Sequence, residues 1–496
     1  MPAVARSQNT RVQFLLLRYC SVSRARYIPR VTPYGHDVRL YAEQVDREHQ
    51  ETLRWLLRSQ DLPEAAIAQA SLPPSRGGLG IANIRNTAPA ACLASLAQAR
   101  TALQAHFRGQ TRNAMALHFD TMLGQPADPL GAIAAYAEVR QDYDWFSDPA
   151  NATLICPSDP ASAGPPSSIP LPPTAHATVT SDKLFRETHY ADLTNARTAA
   201  SLRDPTHPHL SQLDHARLLS CSGKLAHEWL SNPPRTVRTP HHIAPMPGPF
   251  FRTALQVRLG LSLSVDRRGR CMCACDKNRL SARHSLGCAI HGWLSRRHEA
   301  LISVLVALAS AAGLKASRTS LKHVYPARNL ALMPPNSKDG AHCIPDILIE
   351  NYPFPGHTTA GDVTVVNPTG TAAQAARFRE AANNAHDEKQ RHLDDHLTAT
   401  LAESGEGGPP NTHFAPLAVE SYGAVTTTTY NLIDGLCKTH AEMYGCSQSD
   451  DAIFRHAWRH RFSTALQLAN AKMIHHLAAD APDRREGRKY GAGGRR

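Results

Sequence analysis

Two aspartates and one lysine carry the most specific chemistry that the chain suggests. Asp346 stands near the start of the run Ile344-Pro345-Asp346-Ile347-Leu348-Ile349-Glu350, and Asp362 near the start of Gly361-Asp362-Val363-Thr364-Val365-Val366. Both runs are short and rich in β-branched and aliphatic residues, and Asn351, Pro353, Pro355 and Gly356 punctuate the gap. That pattern predicts two strands of one hairpin, each with an aspartate near its beginning. Aspartates at such places also serve as plain turn residues. Two carboxylates on neighbouring strands repel each other unless a cation lies between them. Oxygen-only ligands suit Mg²⁺ or Mn²⁺, which leaves most of the coordination sphere for water and a phosphate. Residues 371–397 are Ala-rich and predict a long helix with Lys389 in its second half. A lysine reaching the same spot can orient an attacking water or stabilise charge on phosphate oxygens.

A second cluster precedes the hairpin. Cys271, Cys273 and Cys275 lie within five residues, and His284 and Cys288 follow at a spacing of four. A Cys-x-Cys pair, a short loop, then His and Cys can close a four-coordinate structural Zn²⁺ site without a large fold. The expected set is Cys271, Cys273, His284 and Cys288, with Cys275 able to replace either of the first two. Arg279, Arg283, Arg296 and Arg297 surround it and are candidates for a phosphate backbone, or form a solvated face. Residues 298–313 predict an amphipathic helix with Leu301, Val304, Leu305, Leu308 and Ala312 inward, ended by Gly313. On it, Glu299 is a candidate acidic ligand. His298 either contacts a phosphate or packs.

These elements sit in a chain of 496 residues with a formal charge of +12, long enough for two or three cores and biased towards an anionic partner. Nothing apolar is long enough to span a bilayer, no signal peptide is legible, and eleven cysteines, mostly scattered, do not form a secreted disulfide framework. A nuclear or cytoplasmic protein is expected. Residues 36–60 and 86–105 predict helices around a Gly-rich turn at 72–81, the second capped by Asn86-Thr87. Residues 147–180, dense in Pro, Ser and Ala, predict a linker. Helices are expected again from 182, including 249–261. After Lys389, Phe414–Glu420 predicts a further strand and 426–444 a helix. The last residues form a basic tail.

Taken together, Pro345-Asp346, Asp362 and a helical Lys389 resemble the PD-(D/E)xK nuclease pattern. The closer likeness is to the variant whose lysine has moved to the following helix, the restriction-like endonuclease domain of site-specific non-LTR (LINE-type) retrotransposon polyproteins. There, too, a CCHC knuckle and an Arg-His pair (here Arg297-His298) precede the nuclease core. Leu72-Pro73 followed by Gly77-Gly78-Leu79-Gly80-Ile81 is similar to the segment after the palm of retroelement reverse transcriptases. No palm is expected in this chain. Tyr190-Ala191-Asp192-Leu193 lacks the second aspartate of the polymerase turn, so no reverse transcriptase activity is expected. Departures from the pattern are Ile344 before Pro345, Thr364 where commoner members carry lysine, and no tyrosine soon after Lys389.

The resemblance implies an α+β protein with helical N-terminal and middle regions, then a small α/β restriction-endonuclease-like core with a mixed sheet. Its expected divisions are 1–146 (thumb-like), 147–180 (linker), 181–270 (helical), 271–292 (knuckle), 293–446 (nuclease core) and 447–496 (helix and tail). The implied activity is metal-dependent hydrolysis of DNA phosphodiester bonds, nicking a target site. Asp346 and Asp362 would hold Mg²⁺ or Mn²⁺ and Lys389 would assist, with DNA and element RNA as candidate partners. The alternative is a non-catalytic, zinc-dependent nucleic-acid-binding remnant.

Overall fold

The computed structural model describes residues 9–106, 109–123, 125–147, 174–175, 178, 187–204, 206–231, 245–263, 282–288, 292–318, 345–370, 381–391 and 412–479. Two compact units divide the chain, Met1–Leu210 and Ser211–Arg496. Glu187–Arg203 packs with the first of them, so the division falls after the Pro/Ser-rich stretch rather than within it.

In the first unit all described elements are helical. Helix α1 (His36–Leu57) buries Val38, Ala42, Leu53, Leu56 and Leu57 along one stripe and ends where Arg58 turns left-handed at φ 50°. Helix α2 begins at Ile84, earlier than expected, and runs to His106. Its first amides are taken by Asn83, which accepts from Asn86 N–H at 3.0 Å, and by Asp46 of α1, which accepts from Ile84 and Arg85 at 2.8 and 2.9 Å. The cap is therefore Asn83 together with a carboxylate from another helix, and Asn86-Thr87 lies inside the first turn. The Gly-rich segment between them is a tight turn in which a Cβ at Gly78 would run into the Leu72 carbonyl. Tyr190, in the polymerase-like tetrapeptide, is a buried core residue on a helix.

The second unit is α+β. Helix α3 (Trp293–Ala311) leads into a four-stranded sheet made of β1 (Ala316–Arg318), β2 (Ile347–Glu350), β3 (Thr358–Val366) and β4 (Thr412–Glu420). The strands lie in the order β1-β2-β3-β4, with the first two pairings antiparallel and β3–β4 parallel. Helices α4 (Thr427–Tyr444) and α5 (Gln448–Ala479) follow. Of the long Ala-rich helix expected over 371–397, residues 381–391 are described and are helical.

Alternation along the strands decides which face is which. Ile347, Ile349, Val363, Leu417 and Val419 all point to one side. There they join Leu301, Leu305 and Leu308 of α3, Leu432 and Leu436 of α4, and Trp458 and Phe462 of α5 in one apolar core. Gly361 lies on that side as well, and a Cβ there would come within 2.7 Å of Ile347 Cγ2 and 3.0 Å of Leu417 Cδ1. The neighbours already fill the space. Asp362, one residue on, must then face the other way.

Leu417 is fully buried in the parallel pair. Leu417→Ala is expected to lower the stability of the second unit by about 2–5 kcal/mol, the cost of lost burial plus a residual cavity. The measurement is the shift in urea midpoint followed by circular dichroism.

Candidate active site

The β2–β3 register brings the two aspartates together. Ile347 pairs with Gly361, and the Asp346 N–H donates to the Gly361 carbonyl at 2.8 Å, so Asp346 stands across the ladder from Asp362. Opposed residues of an antiparallel pair share a face. Both carboxyls thus lie on the side away from the apolar core, where the Asp346 charge acts on Asp362.

Different neighbours hold the two acids. Asp346 Oδ2 accepts from the Val363 N–H at 2.7 Å and lies 2.9 Å from His298 Nε2. The same Nε2 is 3.0 Å from the Val363 carbonyl oxygen. A carbonyl and a carboxylate can only accept, so Nε2 carries the proton and donates to both. Asp362 is 3 % exposed; its Oδ1 is ion-paired with the Lys389 ammonium, and its Oδ2 has no hydrogen-bond partner. The 381–391 helix therefore delivers Lys389 to the acid pair. Asp346, Asp362 and Lys389, spread over more than forty residues of sequence, meet at one point.

Environment pushes the two acids apart. Burial, reinforced by the nearby Asp346 charge and only partly offset by Lys389, pushes the Asp362 carboxyl up to about 7. Burial works in the same direction on Asp346, but the His298 hydrogen bond and charge and the Val363 amide outweigh it and hold that carboxyl below its ordinary value. In return, the bond to Asp346 raises His298. One member of the dyad is a ready anion, while the other is near balance at neutral pH.

Other candidates are placed differently. Glu299 is half-exposed and ion-paired with Arg318, and its carboxylate lies 4.0 Å from His298 Nδ1, outside the contact between the aspartates. Arg297 is not a surface residue. It is 2 % exposed, and its guanidinium donates to the Leu286 carbonyl at 3.0 Å, Ser421 Oγ at 3.2 Å and Asn470 Oδ1 at 3.1 Å. The helical repeat explains this: residue 297 lies on the same stripe as 301, 304 and 308, four, seven and eleven positions on. Arg296, one step round the helix, sits over the Trp293 ring at 4.4 Å, and the Arg283 side chain is 38 % exposed.

Cys271, Cys273, Cys275 and Arg279 lie outside the described residues. Of the other two expected zinc ligands, His284 lies in a short helix, where burial lowers its pKa. Cys288 is buried among Leu286 and Trp293. Among the described residues no group of three or more His, Cys, Asp or Glu is arranged to hold a metal ion. No helix among them is long and apolar enough to cross a membrane. Compared with known proteins, the chain matches no family model, and no curated protein matches it significantly.

Two outcomes follow from these contacts. Arg297→Lys is expected to lower the melting temperature, because all three acceptors are met by the terminal Nη1 and the lysine nitrogen falls one bond short of that place, while Arg296→Ala leaves it nearly unchanged. Asp362→Asn is expected to melt above the wild type at pH 8. The folded carboxyl keeps its proton up to about pH 7, against 3.8 for the ordinary group, so wild-type stability falls as pH rises through that window. Asparagine has no proton to lose. Thermal denaturation at several pH values should show the gap closing towards pH 4.

Proposed function

We propose that this protein is a metal-dependent DNA endonuclease that hydrolyses phosphodiester bonds with Asp346, Asp362 and Lys389. The observation that carries the proposal is the meeting of two carboxylates and an ammonium on the side of the hairpin turned away from the apolar core. A mixed four-stranded sheet with helices packed on it is in keeping with the restriction-endonuclease-like core that the sequence resembles.

The donor set fits a hard divalent cation. Only carboxylate oxygens face each other here, and Asp362 Oδ2 is a buried oxygen with no hydrogen bond, which a cation would satisfy. Asp346 and Asp362 would hold Mg²⁺ or Mn²⁺, and the ion would supply neutralisation of the charge that builds on the phosphate oxygens. His298 keeps Asp346 ionised and fixes its orientation through Nε2–H. Lys389 balances Asp362 in the free protein, and with a divalent ion on that carboxylate it would orient a water or stabilise a non-bridging phosphate oxygen. In the reaction a water oxygen bonds to phosphorus, the P–O bond to the leaving sugar oxygen breaks, and a proton passes to that oxygen. The formal charge of +12 favours a polyanionic substrate. A structural Zn²⁺ site built from Cys271, Cys273 or Cys275 with His284 and Cys288 belongs to the same proposal, as a clip beside the DNA-binding surface.

Nicking of supercoiled plasmid in Mg²⁺ tests it. Asp362→Ala and Lys389→Ala are each expected to lower the nicking rate by about 100-fold or more, the scale for losing one preorganised charge. Wild-type nicking should also decline as pH falls below about 7, because Asp362 takes up a proton there and cannot hold a cation. Cleavage indifferent to Asp362→Ala would leave a nucleic-acid-binding protein without this chemistry.

A further inference from the structure

Lys389 comes from a helix, and something must fix that helix over the sheet. Positions 382, 386 and 389 on it face the sheet or α4. Their spacing of four and then three puts them on one face. Lys389 reaches Asp362 on β3. Two turns earlier, the backbone N–H of Ala382 lies against the buried carboxylate of Glu420 at the end of β4. Between them, His386 Nε2 lies 3.0 Å from Thr428 Oγ1 in the first turn of α4.

The lengths agree. Asp362 is in register with Pro416, and Glu420 is four residues further along the same strand, on the same face. Four strand residues cover ~13 Å, and the seven helical residues from 382 to 389 cover ~10.5 Å. One helix, anchored at the Glu420 end, therefore sets its other end over Asp362. His386 settles its own polarity. Its Nδ1 is 3.1 Å from the Asp387 carboxylate, which only accepts, so Nδ1 carries a proton, and in the neutral ring Nε2 accepts from the Thr428 hydroxyl.

We propose that the Thr428–His386 hydrogen bond, together with the Glu420–Ala382 contact, is a positioning device that holds Lys389 at the acid pair. His386, Thr428 and Glu420 touch neither acid. They act through the helix: Glu420 fixes its height over the sheet, and Thr428 fixes its rotation and ties it to α4. This deepens the nuclease proposal and rests on it. A rotation of the helix would swing the ammonium off Asp362 while leaving the apolar core intact, since none of these three residues belongs to it.

Steady-state nicking by the full chain separates the possibilities, with Lys389→Ala as the reference. Thr428→Val keeps the shape and removes the hydroxyl, and His386→Ala removes the acceptor. Both are expected to lower kcat by about 10- to 100-fold, the effect of a displacement on the order of an ångström, with the KM for DNA and the melting temperature unchanged. Thr428→Ser, which keeps the hydroxyl, is expected to restore kcat. Should Lys389→Ala abolish nicking while Thr428→Val and His386→Ala nick at the wild-type rate, the device is refuted and the nuclease stands. A loss of kcat that tracks a falling melting temperature and is not rescued by serine also refutes it. Nicking unaffected by Lys389→Ala would overturn the nuclease proposal and this one with it.

Discussion

Two like charges facing each other across a hairpin, away from bulk water, are the constraint around which the second unit is arranged. An unpaired buried carboxylate costs several kcal/mol, and a second one opposite adds Coulomb repulsion. The protein answers with asymmetry. Asp346 receives an imidazole N–H and a backbone amide, whereas Asp362 receives a single ammonium and keeps one oxygen without a donor. Full satisfaction of both would give a quiet polar core. One buried oxygen is left wanting, and it is the place that the proposed cation would satisfy.

The apolar side of the sheet makes that arrangement obligatory. Ile347, Val363 and Leu417 are committed to the core with α3, α4 and α5, and a one-residue slip of the hairpin would turn them outward and bring the aspartates into hydrocarbon. Gly361 fixes the register further, because any other residue there would collide with Ile347 and Leu417. The chemistry on one side is thus specified by packing on the other. Arg297 extends the same logic: it joins α3 to the 282–288 segment, the end of β4 and α5, and its neighbour in sequence is His298, the partner of Asp346.

Much of this was legible in the sequence because it rests on local patterns. Period-two aliphatic runs gave the hairpin, period-3.6 runs gave α3 and α4, and the oxygen-rich pair with a helical lysine suggested a shared point. What could not be read depends on contacts between distant segments. Asp46 capping α2 from another helix is one example, since nothing near residue 84 announces it. Arg297 is another: its type suggested a surface, while its place on the Leu301–Leu308 stripe, visible in the sequence, pointed inward. His298, whose role the sequence left open, lies on the core-facing helix and hydrogen-bonds an acid. The contacts of Glu420 and Thr428 carried no local signal at all, for their partners lie on a helix some forty residues earlier.

The parallel pairing of β3 with β4 has a consequence for the order of assembly. Thr358 pairs with Thr412, and the lysine lies in the stretch of chain between them. The aspartates meet through a short local hairpin, which forms quickly, whereas the ammonium arrives only after a much longer loop has closed, with the larger entropy loss that this entails. A nascent chain therefore pairs its acids before the ammonium joins them. By that order the Lys389–Asp362 pair is the last part of the cluster to close on folding.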